Sequence, residues 1–305
     1  MTANPEILAV GYACVDFITV VDRLPILDEK MIVDNLLIQG GGPSATAMVA
    51  ASRLGARVSI VASIADDVLG REIIAGLERE KVDVSLSPIR NVGRSAFAFL
   101  MIDRQSGYRT IVGRQGDIIS LRAKEVPKAQ IKKAKVLFVD GNEPEAQFVA
   151  AQVAKKAGVP VIFDAGNEKA GMEELIPFTD VLIASRGFGR DVGGSEDPAK
   201  AAKAFFAQGG LSVAAVTAGA DGAYFETAQG AFHQKAFKVK VVDTTGAGDA
   251  FHGAYAFGMA RKWAARECAR FASAVAAMKC TKVGGRTGLP KLAEVEVFLR
   301  EHAEA

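Results

Sequence analysis

Residues 241–260 read VVDTTGAGDAFHGAYAFGMA, the segment of this chain best suited to chemistry. A strand is expected to end in Asp243-Thr244-Thr245 and to turn through Gly246-Ala247-Gly248 into a helix of small residues. The first N–H groups of such a helix have no intrahelical acceptor and sit at the positive end of its dipole, so they gather phosphate. Asp249 falls in the first turn, facing the same pocket. There it could take a proton from an attacking hydroxyl while the amides of Gly246, Ala247 and Gly248 hold the charge of the phosphoryl group. The bland alternative is that Asp249 only caps the helix, but its place between an apolar strand and a small-residue helix favours the chemical reading.

Two other glycine turns could meet ligands. Gly40-Gly41-Gly42-Pro43-Ser44-Ala45 fits a relaxed dinucleotide pattern, yet it follows an extended run about 40 residues into the chain rather than the first strand. A dinucleotide site is therefore not expected. The three glycines either let backbone approach a polar ligand or simply make a tight strand-to-helix turn. Thr217-Ala218-Gly219-Ala220-Asp221-Gly222 follows an apolar strand, at the edge where nucleotides bind in open α/β sheets. Asp164 closes another strand and either borders the pocket or caps a turn. Arg114 and Arg286 either meet an anionic substrate or serve as a solvated and a loop arginine. His252 is too isolated for a metal site, and His233 and His302 read as surface residues.

The elements that must position these residues alternate. Apolar runs at 7–11, 58–62, 136–139, 159–163, 181–183 and 213–217 read as strands, and 44–54, 69–81, 143–157 and 198–208 as helices. That rhythm implies right-handed βαβ units and an α/β, doubly wound, mostly parallel sheet covered on both faces. Two regions break it. Residues 15–38, with extended runs at 15–21 and 31–38, and 94–113, turning at Gln105-Ser106-Gly107, read as strands without intervening helices and form a small projecting β-sheet. Past Gly246 the chain is helical at 247–260, 264–281 and 290–302. No repeat or low-complexity linker divides it, so residues 1–305 are expected to form one unit with the small sheet as a lid.

Composition narrows the partners. Half of the 305 residues are hydrophobic, and 37 basic against 35 acidic residues leave a net charge of +2. Without a basic face or charged tail, neither nucleic acid nor an anionic membrane is an expected partner. Cys14, Cys268 and Cys280 lack the spacing of a disulfide framework or a zinc site, which fits a reducing cytoplasm. No leader pattern or run of about 18 apolar residues suggests export or membrane insertion.

Together these segments resemble the ribokinase-like, or PfkB-type, carbohydrate kinases, along essentially the whole chain. The resemblance rests on DTTGAGD at 243–249, Gly41-Gly42 before a small-residue helix ending in RLG at 53–55, an IADDxxG-like stretch at 64–70 and the TxGxxG turn at 217–222. It implies Mg²⁺ and ATP as cofactors, with nucleotide contacts at Thr217, Gly219, Gly222 and Thr245, an anion hole at 246–248 and Asp249 as base. It also implies that Asp16, Gly41, Gly42 and Thr46 meet the sugar under the lid.

Within the family the chain is most similar to the ketohexokinase and sulfofructose kinase branch, through GGGPSATA at 40–47, residues 237–254 and residues 278–290. Pro43 and Thr46 stand where ribose kinases carry Lys and Asn, which disfavours ribose. The NxxE element that the family links to magnesium and phosphate reads Ser185-Arg186-Gly187-Phe188. Asn142 stands where sulfofructose kinases carry an arginine for the sulfonate. The acceptor expected is a ketohexose or a modified, anionic hexose, with Arg114 as first counter-charge. A nucleoside kinase of the same fold and a catalytically silent nucleotide-binding regulator remain as alternatives. The apolar lid strand at 97–102 suggests a homodimer.

Overall fold

The computed structural model describes residues 4–166 and 171–303, so both ends of the expected 1–305 unit lie outside it. Strand β1 (Ile7–Val10) lies inside the larger sheet, between β10 and β4, and all four of its residues are buried. Beyond it come β2 (Cys14–Val21), β3 (Leu37–Gly41), α1 (Pro43–Arg53), β4 (Val58–Val61), β5 (Ile64–Ala65), α2 (Val68–Arg79), β6 (Val82–Asp83), β7 (Ile89–Arg90), β8 (Phe97–Asp103) and β9 (Arg109–Arg114). The chain continues through α3 (Lys128–Ile131), β10 (Val136–Val139), α4 (Pro144–Ala157), β11 (Val161–Ala165), β12 (Val181–Ser185), α5 (Arg186–Asp191), α6 (Pro198–Ala207) and β13 (Val213–Thr217). It closes with β14 (Ala223–Thr227), β15 (Phe232–Gln234), α7 (Ala247–Ala260), α8 (Ala265–Lys279) and α9 (Leu292–Glu301).

Among the described residues nine strands make the large sheet, in the order β15-β14-β13-β12-β11-β10-β1-β4-β6. From β13 to β6 every pairing is parallel, as in Ile7 against Val136 and Val58. Successive residues of a strand point to opposite faces, and those of β1 and β10 are apolar on both, as a sheet covered on two sides requires. Ile7, Ile60, Phe138 and Ile183 face α1, α7 and α8, whereas Leu8, Val139, Phe163 and Leu182 face α4 and α6. The chain winds outward from β1 in both directions, leaving a crevice between the carboxyl ends of β1 and β10, where α/β sheets bind ligands.

The small sheet has the order β3-β2-β8-β9. The hairpin of β8 and β9 turns at 104–108, and β2 pairs with β8 in parallel, Phe17 beside Phe99. The expected extended run over 31–38 is shorter and later: residues 31–36 form no strand, and β3 covers Leu37–Gly41. β14 and β15 were not anticipated and add two antiparallel strands to the edge of the large sheet. Small residues let α1 and α7 approach closely, since a methyl group on Gly253 would collide with the Ala47 carbonyl. Among the described residues no helix is long and apolar enough to cross a membrane.

Candidate active site

The strand expected to end at Asp243 does not form; residues 235–246 are irregular up to α7. What shapes the turn instead is the Asp243 carboxylate, fully buried, which accepts from Thr245 N at 2.7 Å and from Gly284 N at 2.6 Å. Gly246 has φ 72°, and a Cβ there would lie 2.9 Å from the Gly285 carbonyl oxygen, so the left-handed turn needs glycine. The N–H of Ala247 returns to Thr244 O at 3.2 Å. Helix geometry leaves the next amides, of Gly248 and Asp249, without intrahelical acceptors. Gly248 borders open space, and the buried Thr245 hydroxyl oxygen has no hydrogen-bond partner. An anion at this terminus would satisfy both the amides and that hydroxyl.

Asp249 is half-buried in the first turn of α7. Burial, then the charge of Asp164, pushes its carboxyl up to about 7, against the pull of His252 and Arg109. Asp164, at the end of β11, is itself pushed well above the carboxylate range by burial and by Asp140. His252 sits between the first turn of α7 and Asp164. Its Nδ1 lies 2.7 Å from Gly248 O, and its Nε2 lies 3.1 Å from Ile183 O and 3.4 Å from Asp164 Oδ1. Of the two readings of Asp164, the structure therefore favours the one beside the site.

Asp16 on β2 is 8% exposed and reaches the glycine pair at the end of β3. Methyl groups on Gly40 and Gly41 would collide with the Arg286 guanidinium and the Asp16 carboxylate, so glycines are needed for two charged side chains to come this close. Gly42, at φ 91°, lies against the Tyr12 carbonyl. Arg286 is buried, with Nη2 3.1 Å from Gly41 O and Nε 3.5 Å from Thr46 Oγ1, and burial pulls its pKa down to about 10. Thr46 is thus a buried partner of Arg286. Burial raises the Asp16 carboxyl, while Cys14, Arg286 and Arg109 hold it down.

Two residues of this region escaped the sequence reading. Asp140, at the carboxyl end of β10, accepts from Tyr12 N at 2.9 Å, Ser44 Oγ at 2.6 Å and Gln147 Nε2 at 2.9 Å, and so ties the β1 loop to the start of α1. Asn142 supports that carboxylate through its N–H at 3.0 Å. Arg109 opens β9, and its Nη1 meets Thr244 Oγ1 at 3.2 Å, while Thr244 N reaches Gly107 O at 3.3 Å. The hairpin tip therefore rests on the turn that leads into α7. By contrast Arg114 pairs with Asp117 at 2.8 Å, so its charge is already answered locally.

At the carboxyl end of β13, Thr217 Oγ1 donates to Ala184 O at 3.2 Å, and Gly219, at φ 60°, borders open space. Gly222 is needed for a different reason: a side chain there would strike the Gln234 carbonyl of β15. Ser185 caps α5 by accepting from Phe188 N at 3.1 Å, and Phe188 packs in the core, its ring 5.8 Å from that of Phe205. A carboxylate at position 188 would be buried against the rings of Phe163 and Phe205 and costly there. Among the described residues no group of three or more His, Cys, Asp or Glu side chains is gathered to hold a metal ion. His233 is exposed as expected, but the His302 ring stacks on Phe298 at 4.1 Å and is half-buried.

Comparison with known proteins agrees with this fold. A Haemophilus influenzae ribokinase is 28% identical over 283 residues, which cover 90% of this chain and 92% of the relative. An ATP-dependent ribose-1-phosphate kinase of Halopiger xanaduensis is 28% identical over 301 residues, covering 97% and 98%. A solved Agrobacterium tumefaciens structure, 28% identical, superposes with a TM-score of 0.91 over 99% of this chain and 100% of its own. The profile of the pfkB family carbohydrate kinases matches residues 4–292, and the chain belongs to that family.

Proposed function

We propose that this kinase transfers the γ-phosphoryl group of Mg²⁺-ATP to a hydroxyl of a ketohexose or of a modified, anionic hexose, with Asp249 as the base. One observation carries the reading: a carboxyl pushed up to about 7 sits in the first turn of a helix whose amides and unpartnered Thr245 hydroxyl converge on an anion site. A base works best when its pKa lies near the operating pH. Asp16 and the Gly41–Gly42 backbone hold the sugar, with Thr46 supporting them through Arg286. Thr217 and Gly219 border the nucleotide, and Gly222 holds their turn in shape.

In the reaction the acceptor O–H gives its proton to Asp249 as its oxygen bonds to the γ-phosphorus, and the bond to the β-phosphate oxygen breaks in line, releasing ADP. The α7 amides and the Arg109 guanidinium hold the charge on the transferring group. With Phe188 in the core and no ligand set gathered among the described residues, Mg²⁺ would arrive on the nucleotide's phosphates and neutralise part of their charge. The β8–β9 hairpin resting on Thr244 supports the small sheet as a lid.

An anionic acceptor fits Arg109 or Arg286 better than Arg114, whose partner is Asp117. The Halopiger relative, named for a phosphorylated sugar, is compatible with such an acceptor. One observation favours a nucleoside instead: Phe17, Phe97 and Phe99 form an aromatic cluster with centroids 5.3 to 6.2 Å apart on the small sheet. A turnover panel of ketohexoses, hexonates, sugar phosphates and nucleosides with ATP separates these readings. No phosphorylated product from any sugar would refute the proposal.

A further inference from the structure

The mechanism above makes no use of a buried cation that lies directly behind the anion turn. Lys279, the last residue of α8, is 0% exposed; its Nζ donates to the Asp243 carbonyl at 2.7 Å and lies 4.0 Å from Asp243 Oδ2. An ammonium removed from water is costly, and packing alone would be served as well by an apolar chain of the same length. Burial does hold the Lys279 pKa below the usual lysine value, with Asp243 opposing that shift. The group must therefore serve a purpose that a methyl-capped chain would not.

Its surroundings indicate that purpose. Asp243 is the residue whose carboxylate orders both Thr245 N and Gly284 N. The N–H groups of Val242 and Asp243 donate to Cys280 O at 2.8 and 3.2 Å, and Gly246 lies against Gly285. Two loops, 241–246 and 280–288, thus cross at Lys279, with a carbonyl from one of them on its ammonium. The negative end of α8 faces the same point, where a cation is favoured. Neither loop has regular structure of its own to hold its shape.

We propose that Lys279 is a positioning residue whose ammonium acts as a built-in monovalent cation, fixing the turn that presents Thr245 and the α7 amides to phosphate. The inference rests on the phosphoryl-transfer reading above. It implies that the turn needs no cation from solution, and that removing the ammonium leaves a carbonyl- and carboxylate-lined space that ammonium ion can enter.

The test compares wild type with Lys279→Met, which keeps the length of the chain and removes the charge. We expect kcat to fall about a hundredfold while the KM for sugar stays within about threefold, since Asp16 is untouched. Affinity for a non-hydrolysable ATP analogue, read by calorimetry, should fall about tenfold. Ammonium or methylammonium chloride should restore both quantities, and tetramethylammonium should not.

An unchanged kcat and affinity would overturn the inference, and so would a loss in a folded variant that ammonium does not repair. Should the variant fail to fold, wild type decides. Full turnover with tetramethylammonium as the only monovalent cation supports the inference, and a requirement for sodium, potassium or ammonium overturns it. Failure of the kinase reading looks different: wild type would then phosphorylate no acceptor in any salt, and the analogue titration alone would judge Lys279.

Discussion

The Asp164–Asp249 pair makes a pH-dependence prediction with a definite sign. Asp249 must be ionised to act as base, so kcat/KM should fall as pH drops through its folded value of about 7. That value lies well above the ordinary 3.8 because burial and then the neighbouring Asp164 charge penalise ionisation. Two carboxyl groups coupled this closely titrate as a pair, and the second ionises only against the charge of the first. Asp164→Asn leaves one carboxyl, with burial still acting on it. The acid limb should then move down by about one pH unit, equivalent to about 1.4 kcal/mol of removed repulsion. His252→Gln should move it far less, because burial holds the His252 pKa below its ordinary value and keeps the ring neutral across that limb. Initial rates at limiting sugar from pH 5 to 9 read both shifts. An Asp164→Asn limb that coincides with wild type would refute the electrostatic reasoning, as would a His252→Gln shift as large as that of Asp164→Asn.

Gly41→Ala places a methyl group against the Asp16 carboxylate and should raise the sugar KM at least tenfold, with the KM for ATP nearly unchanged. If the acceptor is anionic, Arg109→Ala should raise its KM by tens of fold, about 2 kcal/mol for a charge-assisted hydrogen bond, and Arg114→Ala far less. Equal kinetics for an anionic and a neutral hexose in the Arg109 variant would remove Arg109 as the counter-charge. The small sheet exposes Phe99, Ile111 and Val112, and an uncovered apolar sheet face favours association. Light scattering should therefore give the mass of a homodimer, and Val112→Glu should dissociate it; a monomeric wild type at micromolar concentration contradicts this.

Periodic burial made the large sheet legible. β1, β10 and β13 are apolar on both faces and bounded by turn residues, and a chain that alternates such runs with helices has few arrangements open to it. The Asp243–Asp249 turn could be read because a glycine turn, a helix start and a carboxylate are adjacent in sequence. Its supposed strand could not, because Asp243 is held by Gly284 and Lys279, some 40 residues away. The β14–β15 hairpin lacks a strong signal: each strand is short, and Phe232-His233-Gln234 looks like a loop. Asp140 and Arg109 stand in unremarkable local contexts. One gains its role from the closeness of β1 and β10, the other from a contact spanning 135 positions. Phe188 could be seen to depart from the NxxE pattern, but only packing explains why: its ring lies between Phe163 and Phe205.

The central claim is most directly tested by single-turnover phosphoryl transfer in Asp249→Asn, beside nucleotide binding by the same variant. The asparagine keeps the shape of the first turn of α7 and its amides, and removes only the group that takes the proton. The account predicts wild-type affinity for the ATP analogue and a chemical step slower by about 10²- to 10⁴-fold, the range of a positioned general base. A chemical step within a few fold of wild type would contradict it and leave Asp249 as no more than a helix cap.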